Sequence, residues 1–291
     1  MNPRHTLLQS VDRYLPVGAI AGLLLLLYAP LIVYWYDGWL NKSISIEHEY
    51  FSHGLIGLPF AAYLCWQNRL RWQQLTDTSH LAGLMLLPLG VALYLSGVSD
   101  LINFSLPVTL IGLCLWLRGI SGLRLQSFPL LLVLLATPNQ LPYLIAPYTL
   151  PLQQFIAGTA GFLLLQFGIQ VQVDQIYLFV NDRIVEVAPY CAGLKMLFTS
   201  LYVGLMLVYW TGNWTYRSRT VLFFVGIVAI SVSANIIRNT LLAFFHGTGQ
   251  ENLFAWLHEG WGGDLYSASM LGFLVILLRA IEQWPAATSE A

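Results

Sequence analysis

The sequence predicts an all-α fold: a polytopic membrane helical bundle of about eight spans plus one interfacial or re-entrant helix, with a short extracellular β-hairpin. Three observations predict it. Of 291 residues, 57% are hydrophobic and 9% charged, where a soluble domain carries about 25% charged residues. Apolar runs recur along the chain at lengths near the ~20 residues that a span needs. Basic residues fall on alternate sides of those runs, as they do when lysine and arginine stay in the cytoplasm. No internal repeat and no separate soluble stretch interrupts the pattern, so residues 1–291 read as one integral-membrane domain. A net charge of -1 leaves no basic footprint for nucleic acid. The sequence has no P-loop lysine motif, no dinucleotide glycine fingerprint and no HExxH pair, so no cofactor is expected.

The elements follow in order. Run 17–36 comes after Arg4 and Arg13. It starts like a signal peptide but continues without a small-residue cleavage site, and reads as a retained first span. Run 54–67 is followed by Arg69 and Arg71, and runs 82–97 and 102–117 by Arg118 and Arg124. Run 126–138 leads through TPNQLPYLIAPYTLPLQQ into run 151–168. Runs 192–210 and 220–238 enclose Arg217 and Arg219, and run 264–281 ends at Arg279. Nine runs fit this basic pattern only as eight crossings, because Arg124 belongs inside and residue 191 outside. We expect 126–138 to cross and 143–168 to lie in, or re-enter from, the outer interface. Irregular backbone there has to pack on protein or line a cavity. The competing arrangement is a full span at 151–168 with a re-entrant 126–138. Outer segments then hold Asp37, Glu47, Glu49, Asp174, Asp182, Glu186, Glu251 and Asp264. Within 170–188, strand-forming residues flank Asn181-Asp182, a pair that tolerates the left-handed turn conformation, which predicts the hairpin.

The residues able to carry chemistry gather at the outer face. Of three cysteines, Cys65 and Cys114 lie inside apolar runs and read as inert, and the odd count gives no disulfide framework. Cys191 differs. In VAPYCAGLKM it sits at or beside an expected helix start, where unpaired N–H groups favour a thiolate, with Lys195 expected one turn deeper on the same face. The bland alternative is a buried cysteine followed by a snorkelling lysine. In SVSANIIRNT, Ser231, Asn235 and Arg238 fall at i, i+4 and i+7, one polar stripe on an apolar helix. An edge arginine can simply snorkel, but Arg238 is on the side that arginine avoids. A guanidinium facing the bundle can bind a carboxylate or an oxyanion. His258 in FAWLHEGWGGD is either an interfacial histidine beside Trp256 and Trp261 or a general acid and base, with Glu259 or Asp264 to orient it. Glu47, His48, Glu49, Ser52 and His53 cluster ahead of run 54–67, without standard metal-ligand spacing. His246 shows no partner.

The ordered set YFSHGLIGLPF, VAPYCAGLKM, ANIIRNT and HEGWGG resembles the exosortase/archaeosortase family, from about Glu49 to Arg279, and the tone of the sequence resembles its cyanobacterial branch. One departure is Ala192, where that family usually has serine after the cysteine. The resemblance implies a sortase-like enzyme acting on exported proteins that end in a Pro-Glu-Pro-type motif, one transmembrane helix and a basic tail. It implies Cys191, Arg238 and His258 as catalytic residues of a cysteine protease or transpeptidase working through a thioester. The acceptor would be water, a lipid or a glycan. The enzyme would sit among the lipids of the inner (plasma) membrane, with both termini cytoplasmic and the active site on the outer face.

Three other function classes compete. A transporter or channel also carries intramembrane polar residues, but here they cluster at one face and there is no repeat. A non-catalytic assembly or lipid-binding subunit would explain the many interfacial aromatics. Against an intramembrane protease of another mechanism, the chain lacks a GxSG nucleophile and an HExxH zinc motif.

Overall fold

The structure, a computed structural model, describes residues 3–41, 45–188, 193–212, 216–258 and 260–283. It is an all-α polytopic bundle with one small sheet. Helix α1 (Pro3–Leu40) is followed by short α2 (Ile46–Phe51), α3 (Gly54–Gln67), α4 (Arg69–Gln74) and α5 (Leu81–Tyr94). Next come α6 (Ser99–Leu125), broken at Gly119 (φ 60°, ψ -153°), then α7 (Ser127–Ala136) and α8 (Leu141–Ile145). A 3-10 turn (Ala146–Thr149) runs into α9 (Leu150–Gln166), followed by β1 (Val171–Asp174), β2 (Tyr177–Val180) and β3 (Arg183–Glu186). The chain ends with α10 (Leu194–Thr211), α11 (Arg217–Gly247), α12 (Glu251–His258) and α13 (Trp261–Gln283). Among the described residues five stretches are long and apolar enough to cross a membrane: Gly18–Leu40, Ser99–Leu125, Leu194–Thr211, Arg217–Gly247 and Trp261–Gln283. Helices α5 and α7 are shorter apolar helices. Large apolar side chains such as Leu26 (78% exposed) and Ile276 (62%) point outward, a surface suited to lipid rather than water.

Helix α10 is central. Leu194 at its start packs with Trp35 and Trp39 of α1, Tyr50 and Phe51 of α2, and Leu106 of α6. Farther along, Tyr202 and Met206 pack on Ala61 and Leu64 of α3 and on Phe128 and Leu132 of α7. Val208 joins Phe223 and Ile227 of α11 and Leu274 of α13. Several buried polar groups are hydrogen-bonded across the bundle: Trp35 Nε1 donates to Asn103 Oδ1 at 2.8 Å, Asn103 Nδ2 to the Pro138 backbone oxygen at 3.0 Å, and Tyr202 OH to the Leu132 backbone oxygen at 2.9 Å. In a nonpolar interior an unmet donor is costly, so these bonds fix how the helices rotate against one another. Helices α5 and α6 approach closely because Gly83 and Gly90 face them: a Cβ would stand 2.5 Å from the Trp116 nitrogen and 2.2 Å from Thr109 Oγ1.

The sheet differs from the expected hairpin by one strand. Its order is β1-β2-β3, antiparallel throughout, with Asp174 opposite Tyr177 and Val180 opposite Arg183. The second turn is the expected Asn181-Asp182 pair, at φ 48° and 64°, the doubly positive φ of a type I′ turn. The first turn places Gln175 at φ 54°. The strand β1 forms because Val171 and Val173 alternate with polar residues and so present an apolar face: Val173 lies against Gly161 of α9. That face, with Leu178, Val180 and Val187, buries Ile156, Ala157, Ala160 and Leu164 of α9 and Ala243 of α11. Helix α9 is thus covered on one side by the sheet and the last turns of α11, while Tyr143, Leu144 and Tyr148 ahead of it are exposed.

Helix α11 continues past the expected end at residue 238 as far as Gly247. At 1.5 Å per residue, Arg217 and Arg238 are about 31 Å apart along the axis, close to one hydrocarbon thickness. The remaining turns, TLLAFFHG, stay helical because they support the sheet and α9.

Candidate active site

Three chain segments meet at the sheet end of α11. The first is the start of α10. Gly193 takes φ 82°, and a Cβ there would stand 2.5 Å from Asn235 Cγ, so the backbone before α10 lies directly on the α11 side chain. The left-handed φ and this approach both demand glycine. Pro189, Tyr190, Cys191 and Ala192 lie outside the described residues, so the predicted nucleophile is placed only by its neighbours in the chain. The helix proper begins at Leu194, and Gly193 interrupts the backbone between positions 191 and 195. The expected i, i+4 helical relation of Cys191 and Lys195 therefore does not hold as a continuous helix.

The second segment is the polar face of α11. Ser231, Asn235 and Asn239 are 1–3% exposed, and Asn239 Nδ2 donates to the Asn235 carbonyl at 2.9 Å. Arg238 lies beside this row, half-buried. Its Nη2 donates to the His258 carbonyl oxygen across 3.4 Å, linking α11 to the end of α12. The hydroxyl of Tyr266 on α13 donates to the Ala234 oxygen at 2.6 Å and lies within reach of the Arg238 charge. The arginine therefore faces the bundle, with protein groups around it, as the stripe predicted.

The third segment is the α12–α13 corner. The His258 ring stacks on Phe254, centroids 5.2 Å apart and planes at 10°. Phe254 also meets His246 at 5.3 Å, and His246 Nδ1 lies 3.4 Å from Glu251 Oε2. His246, which had no partner in the sequence, thus belongs to the packing that sets the His258 ring plane. The glycines of HEGWGG make the corner tight: a Cβ on Gly262 would stand 2.5 Å from the Trp256 ring, and one on Gly260 2.7 Å from the Trp256 oxygen. Glu259, one candidate to orient His258, lies outside the described residues.

The cluster ahead of α3 divides in two. His48 Nδ1–H donates to the Trp39 oxygen at 2.8 Å, which leaves Nε2 as an acceptor, and Lys195 Nζ donates to it at 2.7 Å. Glu49 Oε2 lies 4.0 Å from Lys195 Nζ. Lys195 is thus held by α2 rather than extended along the bundle surface. His53 turns inward, 5% exposed, with its Nε2–H donating to the Leu135 oxygen at 3.1 Å and its ring 4.4 Å from that of Tyr202. It joins α3 to the end of α7. Among the described residues no group of three His, Cys, Asp or Glu side chains is placed to hold a metal ion.

The structure brings Arg238 and His258 together; Asn239, Tyr266 and the His48–Lys195 link beside them were not singled out by the sequence reading. Asn239 carried a signal, being four residues after Asn235 and hence on the same face. The pairing of residues 48 and 195 is long-range and had none.

A sequence model described as transmembrane exosortase (Exosortase_EpsH) matches residues 39–275. Comparison with curated proteins found no match, and comparison with solved structures found none either. The matched region runs from the end of α1 almost to the end of α13 and contains every segment of the site. The chain belongs to the transmembrane exosortase family, and with it to the membrane enzymes of protein sorting.

Proposed function

We propose that the protein is a membrane-embedded cysteine protease or transpeptidase that removes a C-terminal sorting signal from exported proteins, with Cys191, Arg238 and His258 as its catalytic residues. The observation that carries the proposal is the convergence of three motifs distant in sequence. Gly193 rests on Asn235, and Arg238, one turn farther along α11, reaches His258. Two residues of chain span at most about 7 Å, so position 191 stays near this junction in any conformation.

The chemistry is acyl transfer. The Cys191 thiolate attacks the carbonyl carbon of the scissile peptide, and the resulting oxyanion is met by the Arg238 guanidinium, a charged donor in a site of low dielectric. As the C–N bond breaks, His258 gives a proton to the leaving amine, and the N-terminal part of the substrate remains as a thioester on Cys191. His258 then takes a proton from the acceptor, which attacks the thioester and frees the thiolate. Water as acceptor gives hydrolysis; a lipid or glycan hydroxyl or amine gives anchoring. Lys195, held by His48 and Glu49, adds positive charge at the start of α10 and favours the thiolate.

The substrate is an exported protein with a short motif, one transmembrane helix and a basic tail. Its helix enters the bilayer beside the bundle and presents the motif at the sheet end, which supplies much of the orientation effect. In this reading the sheet end is outside, the termini are cytoplasmic, and the membrane is the inner one.

The test is co-expression with a protein bearing such a signal. The wild-type chain should shorten the substrate by its C-terminal helix, and Cys191→Ala should leave it full-length. Normal shortening in the Cys191→Ala strain would overturn the proposal.

A further inference from the structure

The β3 edge of the sheet is open. The Val187 nitrogen donates to the Ile176 oxygen at 2.9 Å, continuing the β2–β3 ladder by one pair. In an antiparallel ladder the hydrogen-bonded pairs alternate. With Ile176 and Val187 as one bonded pair, Leu178 with Val185 and Val180 with Arg183 are the next two. The main-chain N–H and C=O groups of Ile184 and Glu186 therefore point away from β2. Among the described residues no backbone group of another element bonds to them. Both residues are exposed, Ile184 at 57%. Helix α11 lies under the face of β3, where Val185 packs against the α9–α11 core, and not along its edge.

The course of β3 gives this edge a direction. The strand starts at the far end of α11, where Asn181 Nδ2 donates to the Gly247 oxygen at 3.1 Å and Arg183 Nη1 to the His246 oxygen at 3.1 Å. Just past β3, Val187 packs with Ala243 of α11, and Gly193 lies on Asn235 of the same helix. Cys191 is five residues beyond the end of β3. A polypeptide lying along the β3 edge and advancing in the same direction heads from the Gly247 end of α11 toward the contact of Gly193 with Asn235, two residues in sequence from Cys191. The other edge, β1, is two strands away, about 10 Å farther from that path.

We infer that the β3 edge binds the extended segment of the substrate ahead of its scissile bond, as an added parallel strand hydrogen-bonded to the main chain of Ile184 and Glu186. The inference rests on the sorting-enzyme reading above. The occupant follows from continuity with the proposed site and from direction. A substrate anchored by a C-terminal helix in the same bilayer approaches from beyond the sheet end, heading toward the membrane, which is the course of β3. Main-chain pairing supplies affinity with little dependence on sequence, while alternate side chains of the added strand lie beside Ile184 and Glu186 on the exposed face. Four residues with two outward-facing positions suit one short peptide and are too few to template unwanted association.

The inference is tested with proline. Ile184→Pro removes an outward N–H and no bond of the ladder, a substitution that edge strands accept. With a co-expressed sorting-signal protein, Ile184→Pro should lower kcat/KM about tenfold, the scale of lost main-chain bonds, while Ile184→Ala stays near wild type. Equal rates for the proline and alanine variants would overturn the inference. As a second measurement, amide hydrogen exchange is followed in detergent-solubilised Cys191→Ala protein with and without the intact signal protein. Slowed exchange at Ile184 and Glu186 supports strand addition, and unchanged exchange with the signal protein bound overturns it. If Ile184→Pro loses iodoacetamide labelling of Cys191, the exchange result decides alone. Processing that persists in Cys191→Ala would instead sink the enzyme reading, so the two failures are distinguishable.

Discussion

Gly193, Arg238 and Lys195 each make a separable prediction. Gly193→Ala forces a side chain into φ 82° and against Asn235. The backbone term alone is about 1–2 kcal/mol, so both processing and the unfolding midpoint in detergent should fall, readable by a thermal-shift assay. Arg238→Lys keeps the charge but loses the planar fork that reaches the His258 carbonyl; kcat/KM should fall about a hundredfold. Lys195→Met should raise the pH at which iodoacetamide labels Cys191, and Lys195→Arg should restore it, since the proposed role is charge. A labelling profile identical in all three would remove Lys195 from the mechanism. At this scale the sequence was informative where a pattern was local. Ser231, Asn235 and Arg238 share a helical face and could be read directly. The hydrogen bond from Lys195 to His48 depends on α2 folding back against the start of α10, which no local pattern encodes. The left-handed Gly193 was equally hidden, because a glycine after Cys191-Ala192 reads as readily as part of the helix.

Among the elements, the sheet and α12 behave as one clamp on the site. Arg183 pairs with Glu251 and with the His246 carbonyl, and Glu251 also meets His246. Desolvation opposes ionisation of Glu251, but hydrogen bonds from His246 and Arg183 outweigh it and hold the carboxyl below its ordinary value of 4.5. A depressed carboxyl contributes stability that is present above 4.5 and is lost as pH falls through the folded value. Limited proteolysis should therefore cut the segment between α9 and α10 faster as pH drops below about 4.5, and Glu251→Gln should remove that pH step. A cleavage rate flat across this range in wild type would contradict the clamp. The turn at Asn181-Asp182 was legible because only certain residues accept two positive φ angles in succession. The strand β1 was not, since four residues with two valines are too short an alternation to stand out and its stability comes from α9. The length of α11 was hidden for a related reason: Arg238 ends the apolar run, whereas the helix is sustained beyond it by contacts with the sheet.

For the whole molecule, composition alone fixed the class, because a chain with 9% charged residues cannot cover a water-facing globule. Among the described residues five helices have the length and apolarity of spans and two more are short, while α9 packs on one side against the sheet and α11. The account assigns the sheet end to the outside. Single cysteines at Asp174 and at Arg217, on a background without native cysteines, should react with a membrane-impermeant maleimide in intact cells only at position 174. The reverse pattern would turn the molecule over and leave the site facing the cytosol. The central claim is tested most directly by trapping the acyl-enzyme. Enzyme turning over a sorting-signal protein is quenched in acid, digested and examined by mass spectrometry. The account predicts a Cys191 peptide carrying the new C-terminus of the substrate through a bond that hydroxylamine cleaves; an unmodified Cys191 under conditions where Cys191→Ala traps nothing and cleavage still proceeds would contradict it.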